Sequence, residues 1–396
     1  MTDPSSTSSS PSHRRDSRFS RRAVVGGLGA TAAAAALAPV VSATTSPSSE
    51  PSGDSAGSSR HIESIPETRA KAADTTEDVQ RAVHRAESPI QYLGLTWIGS
   101  KRGASVRFHQ EDGAVGAWHD LHTGCAGGVD GAELIDSARA ASALVPAGGA
   151  FGYELSLPDG AESVRLIAID AKQGPMRQVA LPAEPTRVLG QRYLSRAAWG
   201  ADETKRFYED GTESSPPKYY PVQALSVHHT STPNNDAQPA ATVRTIYEEH
   251  ASKSMKDYGD IAYHFLIDEA GRVYEGRWSG EDGIPAHDKE GNAVTAFHTL
   301  GYNSGNLGIA LLGTFNEQQP TDAARKTLVR LLARLAKAHK LDPAANITFN
   351  NPVDNAKKNV PVISGHRDWL ATECPGGTLY GGLPALRSEV AALVTR

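Results

Sequence analysis

Apolar and polar residues alternate along two segments in the first half of the chain. Every second residue is apolar in 104–108 and again in 151–157, which is the period of a strand with one buried face. Residues 76–186 are therefore predicted to form a small all-β, sandwich-like domain. Large aromatic side chains in such domains are more often core than carbohydrate-stacking surface, so we expect Trp97 and Trp118 to be buried.

A different pattern begins near residue 193, where short apolar runs alternate with segments of helical period. Residues 224–227, 261–267 and 307–312 are predicted strands. Two long helices are predicted from apolar stripes, one with Leu328, Leu331, Leu332 and Leu335, the other with Leu383, Leu386, Val390 and Leu393. Residues 193–396 are thus predicted to be an α/β domain, with a mixed central sheet flanked by helices.

The first 43 residues have the organisation of an export signal. Arg21 and Arg22 precede a run of small apolar residues that ends in a small-x-small cleavage pattern, Val41-Ser42-Ala43. Paired arginines before a weakly hydrophobic run indicate twin-arginine export. The run is too short for a permanent membrane anchor, so we expect a secreted, unanchored protein after cleavage. Residues 44–75 are rich in Ser, Pro and Gly and are predicted to be a disordered tether.

The composition excludes several classes of function. A chain of 396 residues with a formal net charge of −5 gives no basis for binding nucleic acid. Its two cysteines, Cys125 and Cys374, are too few for a disulfide framework. They fall in different predicted domains, so separate roles are favoured over a disulfide bridge between them. The role of Cys125 stays open.

One segment near residue 370 has the pattern of a metal-binding loop. His366 and Cys374 are separated by polar residues, and Pro375-Gly376 closes the segment. A third ligand is available upstream, where a predicted strand ends at His228. Two imidazoles and one thiolate leave the fourth position of a tetrahedral zinc ion open, as catalytic sites do. The residues alone therefore indicate a zinc hydrolase.

Six motifs then occur in the order found in one protein family. They are Ser195–Gly200 (SRAAWG), Val227–Thr230 (VHHT), Asp260–Ile267 (DIAYHFLI), Gly271–Arg277 (GRVYEGR), His298–Asn303 (HTLGYN) and Gly365–Gly376 (GHR followed by TECPG). Over about residues 193–396 the chain resembles the peptidoglycan recognition proteins, also called type 2 N-acetylmuramoyl-L-alanine amidases. The β-rich block resembles, more weakly, the domain that precedes the amidase in secreted actinobacterial members.

The resemblance implies roles for individual residues. The zinc ligands would be His228, His366 and Cys374. The catalytic residues beside the metal would be Tyr263 and Thr372. The substrate groove would be lined by His229, His264, His298 and Asn303, although many members have asparagine at the position of His264. None of the motifs supplies an evident carboxylate base, so the proton shuttle is not identified.

The implied activity is zinc-dependent hydrolysis of the amide bond between N-acetylmuramic acid and L-alanine in peptidoglycan. The expected cofactor is one Zn²⁺ per chain, and the expected partners are the glycan strand and stem peptide of the cell wall. We expect a monomer that associates with the wall. Two alternatives stay open: a non-catalytic peptidoglycan-binding module, and a different zinc peptidase acting on stem peptides.

Overall fold

The computed structural model describes residues 61–73, 83–121, 128, 130, 140–181, 186–281 and 284–395. The predicted export signal, most of the predicted tether, and Cys125 lie outside these ranges. The described residues all belong to one compact unit. Within the described ranges, no helix is long and apolar enough to cross a membrane.

Strands make up the regular structure of the described residues up to 181. They are β1 (His61–Pro66), β2 (Arg69–Ala72), β3 (His84–Ile98), β4 (Ser105–His109), β5 (His119–Asp120), β6 (Ala140–Ser156), β7 (Glu162–Asp170) and β8 (Met176–Leu181). Six of them form one antiparallel sheet in the order β2-β7-β3-β6-β4-β5, and β1 pairs with β8. The described strands therefore form one main sheet and a separate pair, where a sandwich was predicted.

Part of the predicted tether is ordered. Both β1 and β2 lie inside residues 44–75, and β1 pairs with β8 from His61 to Pro66. The Ser/Pro/Gly-rich composition ends before this point, and Ile65 is buried at 7% exposure. This segment is ordered by backbone pairing and by one buried apolar side chain. The composition of the whole range 44–75 gave no sign of either.

The two tryptophans of this region have different environments. Trp97 is buried in the core of the main sheet, as predicted. Trp118 is 45% exposed, so its prediction was wrong. It lies beside the guanidinium of Arg107, 4.9 Å from the ring centroid, and this cation–π contact offsets the exposure of the ring.

The second half begins with short elements: β9 (Arg187–Val188), β10 (Gln191–Arg192), α1 (Arg196–Trp199), a 3-10 turn (Glu203–Arg206) and β11 (Tyr219–Tyr220). It continues with β12 (Ala224–His229), α2 (Pro239–Ala251), β13 (Phe265–Ile267), β14 (Val273–Glu275), β15 (Ala293–Val294), β16 (Asn306–Leu311) and α3 (Asp322–Ala338). The remaining elements are β17 (Asn346–Asn350), β18 (Lys357–Pro361), β19 (Ile363–Gly365), α4 (His366–Trp369) and α5 (Gly377–Val394).

A five-stranded sheet in the order β14-β13-β16-β12-β19 is the centre of this half. Strand β12 runs parallel to both of its neighbours, β16 and β19, whereas β14 is antiparallel to β13. The predicted α/β fold with a mixed sheet is confirmed for this half. Because β12 lies between two parallel strands, three carboxyl ends meet at one edge of the sheet.

Helices cover both faces of this sheet. The predicted leucine stripe of α3 is fully buried with α5 against one face, and α2 packs on the other. Thr321 caps α3 by accepting a hydrogen bond from the backbone N–H of Ala324. In α5 the stripe ends at Val390, because Leu393 is 39% exposed.

The segment 261–267 is less regular than predicted, since only Phe265–Ile267 is a strand. The preceding residues form a loop that is held by the buried carboxylate of Asp260. This carboxylate accepts hydrogen bonds from the Arg196 guanidinium (2.9 Å), the Trp278 backbone N–H (2.9 Å) and the Ile261 backbone N–H (2.6 Å). It fixes the backbone that carries Tyr263.

The main sheet of the first half packs against α2. Arg165 donates to the carbonyl oxygen of Met255 (2.9 Å), and Arg244 on α2 donates to the carbonyl oxygen of Ala171 (2.8 Å). The hydroxyls of Tyr92 and Thr242 are 3.3 Å apart in the same interface. These contacts are buried or partly buried, so the two halves share an interior along α2.

Replacing Asp260 by alanine tests the loop anchor. The change leaves the buried Arg196 guanidinium without one of its carboxylates and two backbone N–H groups without an acceptor, so we expect the free energy of unfolding to fall by about 3 kcal/mol. Urea denaturation measures it. The exposed Asp159→Ala variant is the control, and a loss below about 1 kcal/mol for Asp260→Ala would contradict the assigned role.

Candidate metal centre

Three predicted ligands converge at the carboxyl edge of the five-stranded sheet. His228 lies near the end of β12 and His366 directly follows β19, so parallel pairing brings them together. Cys374 lies in the loop before α5. One ligand atom from each residue lies within 4.8 Å of the others, and Cys374 Sγ is 3.7 Å from His228 Nδ1. This spacing suits a shared metal ion with tetrahedral Zn–N and Zn–S bond lengths near 2.1 and 2.3 Å.

The loop that delivers Cys374 is closed by backbone contacts. The Arg367 N–H donates to the carbonyl oxygen of Cys374 at 3.0 Å. Gly376 has a φ of 94°, and a Cβ at this position would lie 2.3 Å from the Phe315 carbonyl carbon. Only glycine lets the chain pass there without displacing Phe315.

His366 is the strongest sign that this cluster takes a metal. Its side chain is fully buried, and neither ring nitrogen has a hydrogen-bond partner among the described residues. Leaving a buried polar group unsatisfied costs about 1–3 kcal/mol. Coordination through one nitrogen offsets that cost, so the residues fit a bound metal ion.

A chain of hydrogen bonds fixes the tautomer of His228. A carbonyl oxygen can only accept, so His298 Nε2–H donates to the carbonyl of Asn306 at 3.0 Å. Burial lowers the pKa of His298, which keeps its ring neutral and makes Nδ1 an acceptor. His228 Nε2–H therefore donates to His298 Nδ1 at 3.0 Å, and the lone pair of His228 Nδ1 faces Cys374.

The predicted catalytic residues lie beside this cluster. Tyr263 is buried, with its ring centroid 5.4 Å from that of His228. The Thr372 hydroxyl accepts a hydrogen bond from the Cys374 N–H at 3.3 Å, so it helps to position the third ligand. Both residues therefore lie beside the metal ligands. Their catalytic roles stay predictions.

The four residues predicted to line the groove are all buried: His229, His264, His298 and Asn303. His229 lies on the other face of β12 from His228 and accepts from the Phe315 N–H at 3.3 Å. His264 Nε2–H donates to the Val294 carbonyl at 2.6 Å, and its Nδ1 accepts from the Gly308 N–H at 2.9 Å. These polar atoms face the protein in this conformation, so substrate contact by them stays a prediction.

Asn303 holds a segment from the first half of the chain. Its side-chain amide donates to the Gly128 carbonyl at 2.7 Å and to an Asp130 carboxylate oxygen at 2.9 Å. The backbone N–H of Ser304 donates to the other oxygen of Asp130 at 2.9 Å. Sequence spacing gave no sign of these contacts, nor of the hydrogen bond between His298 and His228.

Comparisons with known proteins agree with this geometry. The sequence profile of the N-acetylmuramoyl-L-alanine amidase family matches residues 218–377. A peptidoglycan recognition protein of Trichoplusia ni is 32% identical over 163 residues, which cover 40% of this chain and 72% of that protein. The chain therefore belongs to the family of peptidoglycan recognition proteins and N-acetylmuramoyl-L-alanine amidases.

The chain spans less than a quarter of the human relative but most of a solved insect structure. The human N-acetylmuramoyl-L-alanine amidase is 32% identical over 168 residues, which cover 40% of this chain and 23% of that protein. Among solved structures, Drosophila peptidoglycan recognition protein SA is 26% identical and covers 50% of this chain and 91% of its own, with a TM-score of 0.34.

Replacing His264 by asparagine tests its buried, neutral state. Burial lowers the pKa of His264 to about 3. Because the folded pKa lies below the unfolded value, its contribution to stability is complete above about pH 6.5 and is lost as pH falls toward 3, by up to about 1.4 kcal/mol per pH unit. Between pH 7 and 4.5, we expect the free energy of unfolding of His264→Asn to fall by about 2 kcal/mol less than that of the wild type. Urea titrations at the two pH values measure this difference. The exposed His119→Asn variant should follow the wild-type curve, and a coincident His264→Asn curve would refute a neutral buried His264.

Replacing His298 by phenylalanine tests the hydrogen-bond chain. An aromatic ring is kept, but His228 loses the acceptor that orients it, so divalent metal affinity should fall by about 10–100-fold. Titration against a chelating dye measures this affinity. The control is His119→Phe in β5. Unchanged metal affinity in His298→Phe would show that the hydrogen bond from His228 to His298 does not orient His228.

Proposed function

We propose that this protein is a zinc-dependent N-acetylmuramoyl-L-alanine amidase that cleaves the amide bond between N-acetylmuramic acid and L-alanine. The observation that carries the proposal is the buried, unpartnered imidazole of His366, which converges with His228 and Cys374. Family membership supports hydrolysis of peptidoglycan. Relatives that are named N-acetylmuramoyl-L-alanine amidase support cleavage of this particular amide bond. The family also includes proteins named for recognition, so activity is the property to be tested.

The donor set determines what a bound metal would contribute. His228, His366 and Cys374 would hold one Zn²⁺, and two neutral imidazoles with one thiolate leave a residual positive charge. Bound zinc would polarise the scissile carbonyl and lower the pKa of a coordinated water toward neutrality. The hydrogen bond from His228 to His298 places the proton of the neutral His228 ring on Nε2 and leaves Nδ1 as the ligand atom, and burial of the cluster strengthens electrostatic effects.

Tyr263 and Thr372 have different proposed tasks. The Tyr263 hydroxyl would donate a hydrogen bond to the oxygen that becomes negatively charged, since its ring packs beside His228. Thr372 already accepts from the Cys374 N–H, and its own hydroxyl proton remains available to a substrate oxygen. The backbone fixed by Asp260 places the tyrosine in advance, so little reorganisation is needed during the reaction.

The wider assignments follow from this proposal. The partner would be peptidoglycan, and the twin-arginine pattern would direct the protein outside the cell as a monomer associated with the wall. The domain boundaries at residues 43, 186 and 193 are part of the same proposal, whereas the boundary predicted at residue 75 moves to before His61, because β1 and β2 pair with strands of the β-rich part. The two rivals are a non-catalytic binding module and a zinc peptidase that cleaves within the stem peptide.

Mass spectrometry of digested peptidoglycan separates these possibilities. An amidase releases peptides with a free L-alanine amino terminus and leaves glycans with intact lactyl groups. Cleavage inside the peptide would identify a zinc peptidase. Binding to the wall without any product would identify a recognition module, and new reducing ends on the glycan would indicate a glycosidase.

Replacing Cys374 by serine tests the ligand set. The change removes the soft anionic ligand, so zinc content should fall well below one per chain and hydrolysis should be lost, while most of the fold remains. Metal analysis, turnover and circular dichroism are measured together. The Cys125→Ser variant controls for loss of a thiol, and a Cys374→Ser protein with stoichiometric zinc and full rate would disprove the ligand assignment.

Replacing Tyr263 by phenylalanine tests transition-state stabilisation. The ring is kept and one donor is lost, so turnover should fall on the order of 100-fold, roughly 3 kcal/mol, with little change in the Michaelis constant or zinc content. Steady-state kinetics on a soluble muropeptide measure this effect. Exposed Tyr208→Phe is the control, and unchanged turnover would leave Tyr263 as a packing residue.

A further inference from the structure

One carboxylate from the first half of the chain is bound by the loop between β15 and β16. Asp130 accepts hydrogen bonds from the backbone N–H groups of Asn303 and Ser304, each at 2.9 Å. It also accepts from the side-chain amide of Asn303 at 2.9 Å. Both donor residues are buried. The contact therefore joins the first half of the chain to the loop that contains His298.

The first half also fixes the orientation of the Asn303 side chain. The Gly128 carbonyl accepts from the Asn303 amide at 2.7 Å, in addition to the bond that the same amide makes to Asp130. An asparagine amide has two N–H bonds, so both are used by acceptors from the first half. The side-chain oxygen of Asn303 is thereby directed toward its own loop.

Inside the loop, Asn303 determines the position of His298. The Asn303 side-chain oxygen accepts from the backbone N–H of Thr299, the residue after His298, at 2.8 Å. The Asn303 carbonyl oxygen accepts from the backbone N–H of Asn306 at 3.0 Å. The carbonyl of Asn306 in turn accepts from His298 Nε2 at 3.0 Å. Asn303 thus holds the backbone beside His298 and also the acceptor that orients the His298 ring.

We propose that Asp130 is a positioning residue of the candidate metal centre and acts through Asn303. The loop that Asn303 closes holds His298, which accepts the hydrogen bond from His228 at 3.0 Å. The first half of the chain therefore contributes to metal affinity without supplying a ligand. The inference rests on the proposed function, because it concerns the metal site of that proposal.

The charge and the burial explain why loss of Asp130 would reach His298. Hydrogen bonds to a carboxylate are stronger than those to a neutral acceptor. Without this carboxylate, the buried backbone N–H groups of Asn303 and Ser304 lose their acceptor. Unpaired buried N–H groups are costly, so the loop would rearrange toward other acceptors, and His298 would move with it.

The experiment removes the carboxylate in the full-length protein. Asp130→Ala loses both acceptor oxygens, whereas Asp130→Asn keeps one. Arg165→Ala is the matched control, because it removes the 2.9 Å bond to the Met255 carbonyl, a contact between the halves that involves no residue of this loop. Zinc affinity is titrated against a chelating dye. We expect affinity to fall about tenfold or more in Asp130→Ala, less in Asp130→Asn, and less than about twofold in Arg165→Ala.

A second measurement follows the imidazole hydrogen bond in the metal-free protein. The ring N–H protons of His228 and His298 are observed by NMR with isotope-labelled histidine, and the His298→Phe variant assigns them. In Asp130→Ala, the His228 Nε2–H signal should shift and exchange with solvent about tenfold faster or more. In Arg165→Ala it should match the wild type. A residue that only joins the two halves would lower stability without changing this signal.

The outcomes separate this inference from the proposed function. Unchanged zinc affinity together with an unchanged His228 signal in Asp130→Ala would overturn the inference. If the wild type binds no zinc, the proposed function fails, and the His228 signal alone decides the inference. If the wild type binds zinc but does not cleave peptidoglycan, the amidase proposal fails, and both measurements still decide the role of Asp130. If Asp130→Ala does not fold, Asp130→Asn decides by the same two measurements.

Discussion

Parallel pairing of β12 with both β16 and β19 is the constraint on which the candidate metal centre depends. It places His228 and His366 at one sheet edge although 138 positions separate them. The third ligand then needs only a short loop, which the Arg367–Cys374 backbone contact and the conformation of Gly376 close. The same pairing starts β16 at Asn306, whose carbonyl orients His298 and through it His228. The register of the sheet therefore also determines where the metal ligands lie.

Much of the second half could be predicted from the sequence. The stripe from Leu328 to Leu335 identifies α3 because a buried helix face repeats every three or four residues. The apolar run at 224–227 identifies β12 for a similar reason, and the ligand set follows from motif resemblance. Local patterns predict local structure well. The helices and strands of this half and its three metal ligands could therefore be predicted from the sequence.

Contacts between distant residues could not be predicted in this way. Nothing in the spacing of His298 indicates that it hydrogen-bonds His228, because the bond depends on how the loop before β16 folds back. Trp118 illustrates a second limit: large aromatics in β-rich domains are usually core, whereas this ring is 45% exposed beside Arg107. The packing of the first-half sheet on α2 is a third case, since Arg244 of α2 donates to the carbonyl oxygen of Ala171, 73 positions earlier in the chain. In each case the decisive partner is remote in the chain.

The separation of these partners also affects how the protein folds. Tyr92 meets Thr242 across 150 positions, and Cys374 meets His228 across 146. Closing loops of this length costs entropy before any contact stabilises them, and chains dominated by such contacts fold slowly. Helices α2 and α3 are local and can form early, whereas the ligand cluster forms only when the remote segments arrive. We therefore expect the metal centre to assemble late in folding, so that incompletely folded chains would lack the proposed hydrolytic centre.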